Sequence, residues 1–114
     1  MSDCVFCKIA AGEIPSKQIL ETSSCLVFHD IQPSAPVHAL VIPKAHIPTL
    51  NDAASEQADI LGDMLLAAAE AARKLGVAEG GYRVVFNVNA DGGQEVFHIH
   101  AHILGGRKLG WPPV

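Results

Sequence analysis

Residues 96–104 read VFHIHAHIL, three histidines spaced two apart in an otherwise apolar run. Successive side chains of a strand point to opposite faces. The spacing therefore predicts a strand with His98, His100 and His102 on one face and Phe97, Ile99, Ala101 and Ile103 on the other. The apolar face packs into a core, and three imidazoles line up on the other side, about 6.5 to 7 Å apart at Cα. Imidazole changes charge near neutral pH and also ligates metals, so such a row points to chemistry rather than to a solvated face. Two readings follow. In one, two of the histidines hold a metal, with a carboxylate or the third histidine completing the shell. In the other, one imidazole is a nucleophile or general acid/base and its neighbours position an anion.

The segment just upstream, NADGGQE (89–95), bears on that choice. Gly92 and Gly93 let backbone N–H groups approach a ligand closely, and Asn87 or Asn89 and Gln94 add neutral donors. This is a cradle for a small anion without the basic clamp of a kinase or P-loop site, and it fits a single phosphate.

Further out, the chain predicts an ordered set of elements. CVFCKIAAG (4–12) is a short helix with Val5, Phe6 and Ile9 on one face, stopped by Gly12 and Pro15. KQILET (17–22) and CLVFHDI (25–31) are strand runs joined as a hairpin, PSAP (33–36) is a stiff connection, and VHALVIP (37–43) is a third strand closed by Pro43. Residues 51–76 form one long helix. Asn51 or Asp52 caps it, Arg73 and Lys74 fill its last turn, and Gly76 ends it. Its buried stripe is Ile60, Leu61, Met64, Leu65, Ala68, Ala72 and Leu75. GYRVVFNVN (81–89) is the fourth strand, ADGGQ (90–94) a glycine turn, and 96–104 the fifth strand. The order predicts an α+β domain, a five-stranded antiparallel sheet with one long helix and a short N-terminal helix.

Composition sets the limits. A chain of 114 residues that is 49% hydrophobic suits one domain, 1–114, with a modest core. A formal net charge of −4 with only eight basic residues, scattered along the chain, argues against a nucleic-acid partner. The N-terminus has no basic start followed by an apolar segment, and no run of about 18 apolar residues occurs, so the expectation is a soluble cytoplasmic protein with no membrane partner. Three cysteines in a reducing compartment are better read as thiols or metal ligands than as disulfides. Cys25, at a strand start, reads as a packed thiol.

The run HIHAHIL resembles the signature of the histidine triad superfamily. FHDIQPSAPVHALVIPKAHI (28–47) and GYRVVFNVNADGGQEVFHIHAHILGGRKLGWPP (81–113) are similar to the two characteristic blocks of its nucleotide-binding branch, the purine nucleoside phosphoramidate hydrolases. The resemblance spans nearly the whole chain. It implies hydrolysis of purine nucleoside 5′-phosphoramidates, of the adenosine 5′-monophosphoramidate or aminoacyl-adenylate type, through a nucleotidyl-histidine. The sister branches keep two alternatives open, dinucleoside polyphosphate hydrolysis or nucleotidyl transfer, and a nucleotide-binding interaction protein is a third.

By the same resemblance His100 is the nucleophile, His102 binds the phosphate, and His38 supports them from the neighbouring strand. Asp30 takes the ribose hydroxyls, Val5, Phe6, Ile9, Phe28 and Ile31 form a slot for the base, and Asn87, Gly93, Gln94, Glu95 and Val96 complete the nucleotide site. Glu95 stands where animal members carry a serine, which bears on the choice of leaving group. Cys4, Cys7, His46 and His98 match a structural zinc site found in some members, with no cofactor needed for catalysis. Members of the branch are two-fold homodimers in which two sheets join, which would bring Trp111 near the partner's site.

Overall fold

In a computed structural model that describes residues 3–114, five strands form one antiparallel sheet in the order β1-β2-β3-β5-β4. They are β1 Gln18–Glu21, β2 Cys25–His29, β3 Val37–Pro43, β4 Tyr82–Phe86 and β5 Ala101–Gly105, with the helices α1 Val5–Ala10 and α2 Ala58–Lys74. Among the described residues no helix is long and apolar enough to cross a membrane.

Strand alternation divides the interior into two cores. From β2, β3 and β5, the side chains of Cys25, Val27, Ala39, Val41, Ala101 and Ile103 meet Met64, Ala67, Ala68 and Ala71 of α2. The alanine face of α2 lets the helix approach the sheet closely. Leu26, Phe28, Leu40 and Ile42 point the other way and pack on Phe6 and Ile9 of α1. Because α1 has only 6 residues, it covers this face only in part. Leu40 pairs with His102 and His38 with Leu104, so His38 and His102 stand diagonally on the α1 face, beyond its cover.

The long helix begins later than the sequence predicts. Thr49 caps a 3-10 turn, Leu50–Asp52, in a reciprocal box with Asp52, and Gln57 accepts from the Ala54 N–H at 2.7 Å across a second turn, Ser55–Gln57. The Thr49 box and the Gln57 contact satisfy free donors locally, so the chain makes two separate turns before α2 starts. At the other end Gly76, at φ +78°, closes a Schellman motif: its N–H donates to Arg73 O, and that of Val77 to Ala72 O. Leu65, predicted in the buried stripe, is 53% exposed beside Leu66 at 71%. The stripe turns instead through Met64, Ala67, Ala68, Ala71 and Ala72.

The histidine strand also departs from expectation. Pairing of β5 with β3 and β4 starts at Ala101, so only His102 of the three histidines lies in the ladder. The preceding segment leaves the sheet because the Ile99 N–H donates to Ile47 O, at 2.6 Å, in the loop after β3. Phe97, beyond the edge of the core, is 49% exposed, while Ile99 stays buried as expected.

Candidate active site

Two imidazoles and a carboxylate form one hydrogen-bonded chain. The Ser34 N–H donates to His38 Nδ1 at 2.9 Å, which puts the His38 proton on Nε2. That nitrogen lies 2.9 Å from His102 Nδ1 and 3.3 Å from Asp30 Oδ2, so it donates to both. His102 therefore accepts at Nδ1 and keeps its own N–H at Nε2, facing the cleft it lines. Burial pushes the His102 pKa down to about 4, and the neighbouring His100 and His38 add to the shift against the pull of Asp30. His102 is thus a neutral donor at physiological pH. Asp30 is itself held, because its Oδ1 accepts the Gln32 N–H at 2.8 Å and so folds the loop after β2.

His100 has the opposite tautomer. Its Nδ1 lies 2.8 Å from the His98 carbonyl and must donate to it, which leaves a lone pair on Nε2. Phe6 stands edge-on to the ring, with centroids 5.0 Å apart. A basic nitrogen and a donor N–H on adjacent rings, 5.1 Å apart at their centroids, can attack an electrophilic centre and hold an oxygen attached to it.

These rings open on a cleft of about 540 Å³. One wall is apolar, built from Val5, Phe6, Ile9, Phe28 and Leu40, with Asp30 at its end. The other carries Asn87, Gly93, Glu95 and Val96. Ile31 lines the mouth and is 94% exposed, a rim residue rather than part of a closed slot. Gln94 is the one predicted nucleotide residue outside the lining. Its side chain is buried and braces the loop, accepting from the Asn89 N–H and donating to Pro48 O and Val96 O. Sequence reasoning missed Ile14, Pro15, Ser16 and His29, which also line the cleft. They follow α1 or end β2 with no spacing to mark them, and only the closure of α1 over β2 brings them there.

The glycine turn behaves as a built loop. Gly93 is at φ +78° and Asn89 at φ +58°, and a Cβ on Gly92 would lie 2.5 Å from Val88 O and 2.7 Å from Val88 N. Close backbone packing, not freedom of φ, requires glycine at 92.

A second cluster lies behind the first. His98 Nε2 donates to Pro43 O at 2.8 Å, so its Nδ1 presents a lone pair. That atom is 3.3 Å from Cys4 Sγ, 3.4 Å from Cys7 Sγ and 3.2 Å from His46 Nδ1, and Cys7 Sγ is 3.2 Å from His46 Nδ1. All four donor atoms fall within 4.8 Å of one another. Ligands of a tetrahedral ion bound at about 2.0 to 2.3 Å are about 3.3 to 3.8 Å apart, so the set fits a Cys2His2 centre. The C-x-x-C spacing puts both thiols at the N-terminal turn of α1, where Cys4 Sγ caps by accepting the Cys7 N–H. The histidine row is thus divided: His98 turns to the thiols, His100 and His102 to the cleft. Cys25 lies fully buried in the α2 core, and burial raises its thiol pKa.

Comparison with known proteins agrees with this geometry. The HIT domain family model matches residues 11–109. The chain is 48% identical to the purine nucleoside phosphoramidase of Escherichia coli K12 over 108 residues, 95% of this chain and 91% of that protein. Among solved structures, a HIT family hydrolase from Legionella pneumophila superposes with a TM-score of 0.95 at 52% identity, covering 98% of this chain and 100% of the other. One from Clostridium thermocellum superposes with a TM-score of 0.96 at 43% identity, over 100% and 99%. With its sheet order, its divided histidine row and these matches, the chain belongs to the HIT domain family.

Proposed function

We propose that this protein hydrolyses purine nucleoside 5′-phosphoramidates, yielding the nucleoside monophosphate and an amine. The observation that carries the reading is the opposed pair of tautomers: a lone pair on His100 Nε2 beside an N–H on His102 Nε2, at the end of an apolar slot. His100 Nε2 attacks the α-phosphorus, the P–N bond breaks, and the nitrogen leaves as an amine after taking up a proton from solvent water in the open cleft. The nucleotide is then held on His100 until water attacks phosphorus, which frees the imidazole and releases the monophosphate. His102 Nε2–H donates to a phosphoryl oxygen in both steps. Asp30 receives the ribose hydroxyls, and Phe6, Ile9 and Phe28 take the base. The purine nucleoside phosphoramidase at 48% identity supports the substrate class.

Zinc is the ion we assign to Cys4, Cys7, His46 and His98. Two thiolates and two imidazoles suit it, all four positions are filled, and its role is structural. The cytosol keeps such thiols reduced. We also propose a homodimer: Leu65 and Leu66 present apolar surface on α2, and β4 is an edge strand with an open ladder.

Release of amine from a fluorogenic adenosine phosphoramidate tests the activity, with His100→Asn as control. Rapid wild-type turnover and a silent variant are expected. Equal, slow rates in both would leave a nucleotide-binding protein instead.

A further inference from the structure

Both charged groups lining the cleft among the described residues are carboxylates, Asp30 and Glu95, and no lysine or arginine is among the lining side chains. Lys17 borders a separate depression with His29, Asp30 and Ile31. Asp30 is committed, holding the Gln32 N–H and His38 Nε2. Among the described residues Glu95 forms neither of the two ion pairs and no hydrogen bond. An unpaired carboxylate beside the position of a phosphoryl anion is repulsive unless a cation joins them. No described residue supplies one on that wall, which points to the ligand as its source.

Topology says which part of the ligand carries it. Asp30 follows β2, on the β3 side of His102, whereas Asn87 follows β4 and Glu95 sits on the loop from β4 toward β5. With the nucleoside on the α1 and β2 wall, as the reading above has it, the group leaving phosphorus faces Glu95. We infer that Glu95 is a specificity determinant for the leaving group and selects amines that carry a second, cationic nitrogen.

The inference rests on the phosphoramidase reading, and its test separates the two. Two adenosine 5′-phosphoramidates of equal chain length are compared, one of n-pentylamine and one of 1,4-diaminobutane. Their leaving groups differ only in a terminal methyl or ammonium. Glu95 is exposed, so the preference in kcat/KM for the diamine should be about two- to fivefold, the range of an exposed ion pair, and should shrink at high salt. Glu95→Gln should bring the ratio to about one, and Glu95→Lys should invert it. The same ratio is read as Kd on His100→Asn, where chemistry is blocked. Equal rates for both compounds in the wild type, or a preference that survives Glu95→Gln, would overturn the assignment. No turnover of either compound, with the binding preference intact and Glu95-dependent, would overturn the hydrolase reading and leave Glu95 as a determinant of ligand binding alone.

Discussion

The carbonyl oxygen of His98 lies 2.8 Å from Nδ1 of His100, while the ring of His98 is turned toward Cys4 and Cys7. One residue thus belongs to two sites, its backbone to the cleft and its side chain to the thiol cluster. Phe6, between the two cysteines in sequence, makes ring contacts with both His98 and His100. The thiol cluster and the cleft therefore share a frame.

Metal loss should first be visible as lost stability. Protein purified without chelator should hold about one zinc per chain by elemental analysis, and a stoichiometry near zero would remove the site. Cys7→Ser should lower the melting temperature by at least about 5 °C, since a chain of this size loses about 4 °C per kcal/mol.

His100 is the residue whose loss should cost most. With His100 as the proposed nucleophile, His100→Asn should lower kcat/KM by about a thousandfold or more, because the two-step route is lost. Wild-type melting behaviour in the same variant would tie the loss to chemistry rather than folding.

His38 acts through His102. His38→Ala leaves His102 Nδ1 without its donor, so the imidazole can take the other tautomer and turn its N–H away from the cleft. Leaving a buried acceptor unpaired costs about 1 to 3 kcal/mol, which as a barrier is about five- to 150-fold in rate. Nitrogen chemical shifts of His102 should report the change of tautomer, which a general loss of packing would not produce.

Stability should fall in acid through His102. Its folded pKa of about 4 is below the ordinary histidine value, so between about pH 6.5 and 4 the unfolded chain binds the extra proton and the folded chain does not. Unfolding free energy therefore drops as pH falls through that window. Denaturant melts at a series of pH values should show a shallower slope for His102→Asn, and an unchanged slope would count against His102 as the source.

Gly92 should resist even alanine. A Cβ there meets the backbone of Val88, which cannot swing aside as a side chain can. Gly92→Ala should shift the loop that carries Gly93 and Glu95 and cost about 1 to 3 kcal/mol, comparable to other overpacked sites. A fully wild-type melting curve together with wild-type nucleotide affinity would refute the close packing.

Much of the architecture was legible in residue order alone. Short apolar runs at 25–29 and 37–43, turn residues between the strands, and the alanine-rich helical stretch were enough for five antiparallel strands and one long helix, because run length, turn residues and helical periodicity are all local signals. Register is different. It depends on partners distant in sequence, so that 96–100 lies outside the ladder could not be read from an alternation that continues unbroken through it. The start of α2 was hidden in the same way, since Thr49 and Gln57 build turns that compete with the helix.

What the sequence determined by itself was the inventory: a row of imidazoles, a pair of thiols, a glycine loop and an apolar helix to cover them. What only the tertiary structure decided was the division of labour. Which nitrogen of each ring carries the proton depends on the Ser34 N–H and on the carbonyls of Pro43 and His98, which the fold brings to those rings. A histidine offers two chemically different nitrogens, and its partners in space, not its place in the chain, choose between them.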